Sequence, residues 1–212
     1  MRTRMLLLAL ALPAQAWAQA EELENPGQVF AVQERQYRLN HELSLGIGVL
    51  PLDAFYKGLT AQVGYTFHFT DSFAWQVGRA TYSYNINTGL RNQLERDFGV
   101  LPTRFQEVEF MVGSDLIWSP FYGKTAVSNS SVIYNETYFI AGGSVLRLQN
   151  VGGGLVDVPF RPAANVGIGF RLFRNQTVSM RLDVTDNIVI TDRPFNVVSI
   201  QLLGALNFGA TE

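Results

Sequence analysis

Cysteine is absent from the 212 residues, and lysine occurs only as Lys57 and Lys124. The missing thiols exclude a disulfide scaffold, thiol catalysis and cysteine-type zinc sites. They also exclude a lipid-modified cysteine behind the N-terminal apolar run. Charge is scarce, 16% of residues against the ~25% usual in soluble domains. The 16 basic residues meet 18 acidic ones, so no basic surface for nucleic acid is on offer. After the N-terminus the chain nowhere reaches the ~20 consecutive apolar residues that a membrane-spanning helix needs. What is present is an ordinary hydrophobic fraction of 47% and a mean hydropathy of +0.08. Disorder is therefore excluded, and patterning must decide between a soluble and a membrane chain.

Residues 1–18 read as an address. Arg2 and Arg4 form a basic start, Met5 to Leu12 an apolar core, and Ala16-Trp17-Ala18 a small-residue cleavage site. A second triplet, Ala18-Gln19-Ala20, allows a cut at 20. The apolar run is too short to cross ~30 Å as a helix, which favours a cleaved export leader over a retained anchor. Its removal leaves 14 basic and 18 acidic residues, a net charge of −4. An exported chain without a spanning helix is either a soluble β domain or a β-barrel.

From Tyr37 onward the period is two. Leu43, Leu45, Ile47 and Val49 alternate with Glu42, Ser44, Gly46 and Gly48, and Leu59 to Phe69 alternate with Thr60 to Thr70. Side chains flip faces at every strand residue, so this is a strand signal. The runs exceed the 5–6 residues of an average globular strand and match the 9–11 of a membrane-spanning one. Val108 to Trp118, Pro162 to Leu172, Val178 to Ile190 and Val198 to Phe208 repeat the pattern. Two segments are less regular. Between Phe73 and Tyr84 the apolar parity switches near Gly78-Arg79, which predicts a bulge or a lumen-facing tyrosine. Tyr138 to Leu148, carrying Gly142-Gly143, fits either register. The total is eight strands.

A sandwich buries its apolar face; a membrane barrel turns that face to lipid and its polar face inward. Strand length, the leader and an unbroken apolar face over six strands favour the barrel. Aromatics Phe69, Phe73, Trp75, Trp118 and Phe208 fall on that face near strand ends, where a girdle belongs. The expectation is an all-β, eight-stranded, antiparallel, up-and-down transmembrane barrel in a bacterial outer membrane. It spans residues 37–209, follows an N-terminal segment at 19–36 and ends in a tail at 210–212. An even strand number puts both termini in the periplasm, with short turns at Thr70-Asp71-Ser72 and Arg174-Asn175-Gln176. The connection from Ser119 to Asn135 is too long for such a turn and reads as a projecting hairpin with its bend at Ser128 to Ser131. Among the outer loops, Asn85 to Gln106 is the longest, and Leu90, Leu94 and Phe98 suggest a short helix there.

Eight strands leave a lumen that side chains just fill. The polar faces then predict a plugged interior in which Arg161, Arg171 and Arg181 pair with Glu107, Glu109, Asp115 and Asp183. Pairing strands six and seven about Asn175 sets Gly169 opposite Arg181 and Gly167 opposite Asp183, making room for long side chains. No catalytic set stands out. His41 lies on the apolar parity, His68 on the lumen parity, and neither has a serine of matching parity beside it. Glu107 and Glu109 share a face, but a salt-bridge network explains them better than acid–base work. With Asp115 they lack the histidines that a transition-metal site wants. No cofactor is expected. Three Asn-X-Ser/Thr triplets, at Asn129, Asn135 and Asn175, are chance matches to a short pattern.

Leu50-Pro51-Leu52-Asp53-Ala54-Phe55-Tyr56-Lys57-Gly58, Tyr65 to Trp75, Trp118-Ser119-Pro120-Phe121-Tyr122-Gly123-Lys124 and Gly142-Gly143 carry a resemblance. The chain resembles a family of small outer-membrane β-barrel proteins of myxobacteria and related predatory bacteria, over roughly Val32 to Gly209. The resemblance implies a barrel without defined activity, and some similar barrels belong to envelope complexes for gliding motility. The functional expectation is a non-enzymatic barrel that anchors or binds envelope partners through Asn85 to Gln106. Its other contacts would be outer-membrane lipid and the barrel assembly machinery. A narrow pore or small-solute channel is the alternative, and a lipid-modifying enzyme the remote one.

Overall fold

Eight antiparallel strands form in chain order: β1 (His41–Leu50), β2 (Tyr56–His68), β3 (Phe73–Asn87), β4 (Phe105–Val127), β5 (Ser131–Val151), β6 (Phe160–Phe173), β7 (Val178–Val189) and β8 (Phe195–Phe208). Each pairs with the next, and β8 returns to β1 from His41↔Phe208 to Val49↔Ile200, closing a barrel without an edge. The computed structural model describes residues 35–51, 56–87, 96–97, 105–127, 131–151, 160–192 and 194–209. The leader, the loop helix around Leu90 to Phe98 apart from residues 96–97, and the tail at 210–212 fall outside the described residues, as does most of 19–36. No helix among the described residues is long and apolar enough to cross a membrane.

The two faces are inverted relative to a water-soluble sheet. On β1, Glu42 and Ser44 are fully buried while Leu45 is 69% exposed. The same reversal runs through β7, where Ser179, Arg181, Asp183 and Thr185 point inward and Met180, Leu182 and Val184 point out. A continuous outer band of Leu, Ile, Val and Phe far exceeds the few hundred Å² of apolar patch that a soluble monomer carries. Hydrocarbon is the solvent that matches it, and a closed barrel satisfies every strand's backbone within that solvent.

Short turns close the end where β1 begins and β8 ends, the terminal end of the barrel. Thr70 Oγ1 accepts hydrogen bonds from the backbone N–H groups of Ser72 and Phe73, and Asn175 Oδ1 does the same for Thr177 and Val178. These side chains replace ladder partners that the reversing backbone loses. The third connection at this end is the projecting hairpin. β4 and β5 stay paired to Val127↔Ser131, well past Trp118, the last β4 residue to pair with β3.

Three bulges reset the parity, one of them at Ser119-Pro120, where Trp118 pairs with Phe139 and Phe121 with Thr137. On β3, Gln76 pairs with Asp115 and Arg79 with Gly113, so Val77 and Gly78 share one opposing residue. Beyond the bulge Arg79, Thr81 and Ser83 point inward, while Tyr82 and Tyr84 face out. On β4, Val108 pairs with Leu148 and Phe110 with Arg147, leaving Glu109 unmatched. Sequence alternation places Val108 on the lipid face with Val112; the bulge turns it into the lumen instead. β5 resolves to the register in which Tyr138, Ile140, Ser144, Leu146 and Leu148 point in.

Candidate functional site

The inward side chains fill the lumen in layers. The layer nearest the termini is ionic and centres on Glu42. Arg171 Nη2 donates to its Oε2 and Arg181 Nη1 to its Oε1, both at 2.5 Å, and His68 Nε2 lies 3.3 Å from Oε2. Arg171 Nη1 also donates to Glu136 Oε2 at 3.2 Å, and Arg181 Nη2 to Asp183 Oδ2 at 2.7 Å. Arg181 Nε donates to the Tyr138 hydroxyl at 2.8 Å, and that hydroxyl donates to Asp183 Oδ1. The Tyr138 ring packs between the guanidiniums, 5.4 Å from Arg171 and 5.2 Å from Arg181. Both arginines are completely buried, and taking such ions out of water costs several kcal/mol each unless geometry and partners offset it. Planar, many-donor guanidiniums bridging paired carboxylates provide that offset.

A second, polar layer lies midway. Arg79 Nε donates to Asp115 Oδ2 at 3.0 Å, Asn165 Nδ2 to Asp115 Oδ1 at 2.8 Å, and Ser144 Oγ to Asn165 Oδ1 at 2.8 Å. On the opposite wall Thr60 and Gln201 bond to one another, as do Thr81 and Gln62. The far end is closed by hydrocarbon. Leu50, Val108, Met111, Leu146, Leu148, Ala163, Val189 and Val197 form one buried cluster, with Phe195 packed on it.

The residues singled out from sequence separate accordingly. Arg171, Arg181, Asp183 and Asp115 enter the lumen; Arg181 pairs with Asp183 as expected, whereas Asp115 is held by Arg79, and Arg171 and Arg181 converge on Glu42. Glu109 is not in the lumen. As the bulged residue it turns to the outer side and pairs with Arg147 at 3.3 Å, both partly exposed. Arg161 is exposed, its backbone paired with that of the inward Leu146 beside the apolar layer. The Glu107 side chain lies outside the described residues. The β6–β7 register also differs from the one drawn about Asn175. Gly169 pairs with Asp183 and Gly167 with Thr185, because the turn centres on Gln176, one residue later. The space at Gly169 admits the Tyr138 ring, which a Cβ at that position would overlap.

Sequence reasoning did not assign Glu42, Glu136, Arg79, Tyr138 or Arg35 to the network. Their inward parity was the available signal for Glu42, Glu136 and Tyr138. Arg79 lay behind a bulge and Arg35 before the first strand.

Outside, Phe69, Phe73, Trp75, Trp118 and Phe208 are all exposed on the lipid face. Phe73 stacks on Trp118 at 6.4 Å, and Trp118 meets Phe139 at 5.7 Å, making an aromatic row toward the end with the termini. Trp75 sits further in and donates its Nε1–H to Ser114 Oγ at 2.9 Å. His41 joins the row, hydrogen-bonded to Tyr65 at 2.8 Å and stacked on Phe208.

The barrel is similar to the N-terminal β-barrel domain of Pseudomonas aeruginosa OprF, with a TM-score of 0.53 and 10% identity over 80% of this chain and 98% of that one. Neisserial surface protein A matches at 0.40 with 11% identity, covering 79% of this chain and 94% of that one. The outer membrane enzyme PagL also matches at 0.40, with 12% identity over 79% of this chain and 99% of that one. The first likeness shows the fold, a small closed β-barrel; the other two are too distant to carry argument. No protein-family model and no curated protein matches the chain.

Proposed function

We propose that the chain is a bacterial outer-membrane β-barrel that does not conduct, and that it serves as an anchor or docking component of an envelope complex. The observation that carries this reading is the filled lumen. An ion entering from the end with the termini meets a closed ionic lattice, and one entering from the other end meets packed Leu, Val and Met side chains. A hydrophobic constriction resists wetting, and interlocked charges cannot reorient to pass an ion. The inverted faces support the membrane, and closed β-barrels with an outer apolar band and aromatic girdles are the spanning structures of bacterial outer membranes. Residues 1–18 would then be the export leader. Both histidines are already engaged, His41 with Tyr65 and His68 with Glu42, which favours a non-enzymatic role. The partner-facing segments on this reading are Asn85 to Gln106 on one side and residues 19–36 on the other. An assembly of the gliding-motility kind is the class that the family resemblance suggests.

Purified barrel in planar lipid bilayers tests the plug. The expected result is no stable, ohmic conductance above the bare membrane. A large steady conductance that shifts its ion selectivity in an Arg181→Ala variant would establish the narrow-pore reading instead.

A further inference from the structure

We infer that the mouth at the end with the termini carries a guanidinium-binding socket, filled in cis by Arg35, and that residues 35–40 are a strap locked by it. The ionic layer contains three carboxylates, Glu42, Glu136 and Asp183, but only two strand-borne guanidiniums, Arg171 and Arg181. The third cation comes from outside the strands. Arg35 Nη2 reaches Glu136 Oε1 at 3.4 Å, with the Arg35 side chain 8% exposed and that of Glu136 fully buried. Its guanidinium lies 5.0 Å from the Tyr122 ring centroid, on the inner face of the projecting hairpin.

The following residues hold it there. The Tyr134 hydroxyl donates to Gln36 Oε1 at 2.5 Å. Tyr37 packs edge-on against Tyr134 at 5.1 Å and in a tilted arrangement against Phe173 at 5.5 Å. Gln176 Nε2 donates to the Arg38 carbonyl at 2.6 Å, and Asn40 Nδ2 to the Gly209 carbonyl at 3.0 Å. A carboxylate under a flat aromatic wall selects a planar cation over a compact ammonium. The extension of β4 and β5 past the girdle gains a purpose, since Tyr122 and Tyr134 both lie on it. The socket holds whether or not the barrel conducts.

The test is chymotryptic cleavage after Tyr37 in the refolded full chain, with heat-modifiable gel mobility reporting that the barrel is intact. Wild type should resist, and Arg35→Ala should be cut about tenfold faster, the loss of one partly desolvated cation–π and ion-pair contact. Millimolar methylguanidinium should slow the Arg35→Ala reaction toward wild type, and methylammonium should not. Equal cleavage of the two proteins, or rescue by both cations or by neither, would overturn the socket. Should Arg35→Ala fail to refold, Arg35→Lys serves. It keeps the charge, and it should still be cut faster than wild type. Protection equal to wild type would show that charge alone suffices.

Discussion

The two halves of the lumen exclude water by opposite means. Near the termini, Glu42, Arg171, Arg181 and Asp183 interlock through charge-assisted hydrogen bonds; at the far end, Leu50, Val108, Leu146 and Leu148 simply pack. The apolar half is locally forgiving, because neighbouring side chains can partly collapse into a gap. The ionic half is not, because each group depends on partners that cannot be replaced by water from outside. Rigid positioning comes from the first half, and a dry seal from the second.

Deleting the hub of the ionic half should have the largest effect. In Glu42→Ala, Arg171 and Arg181, which are direct register partners, face each other without their shared carboxylate. A loss of about 4 kcal/mol is expected, the usual cost of stranding buried charge. Urea titration of the refolded barrel in micelles reads it, and a shift below about 1 kcal/mol would mean that water penetrates this layer.

Leu148→Ala in the apolar half should cost about 3 kcal/mol from lost transfer energy and residual cavity. The same urea titration compares it directly with Glu42→Ala, and the contrast between halves fails if the order reverses.

Gly169→Ala should lose about 2 kcal/mol, since the new methyl overlaps the Tyr138 ring and pushes that hydroxyl off Arg181 and Asp183. A companion Tyr138→Phe change sharpens the point. If overlap with the ring is the cause, Gly169→Ala should remain harmful in that background.

The smallest effect belongs outside the lumen. Trp118→Ala removes the middle ring of the Phe73–Trp118–Phe139 row and should cost about 1 kcal/mol, read as a modest drop in thermal midpoint in phospholipid vesicles. A loss as large as that of Glu42→Ala would move the structural centre of gravity from lumen to girdle.

Much of this architecture was legible because period two is a local property of the chain. The eight strands and the inverted faces of β1, β2, β6, β7 and β8 follow from alternation, and the projecting β4–β5 hairpin from its interruptions. The bulge near Gly78 announced itself as a change of parity. The one at Glu109 did not, because Val108, Phe110 and Val112 keep an apolar alternation straight through it. A one-residue shift in the centre of the β6–β7 turn moved Arg181 from Gly169 to Arg171. Lumen partners were the least readable part. Glu42 and Arg181 stand 139 positions apart and meet only across the closed barrel.

By itself, then, the sequence determined which atoms face which solvent. Alternation assigns each side chain to a face, and the absence of cysteine, of long apolar runs and of abundant charge leaves a lipid-facing barrel as the consistent solution. Only the tertiary structure decided which charges neutralise one another, which end of the lumen is dry hydrocarbon and that Arg35 completes the count from outside the strands. Pairing of charges depends on distance in space, and distance in a closed sheet is set by register, bulges and turn centres. A one-residue change in any of these leaves the pattern of faces almost unaltered while exchanging the partners inside.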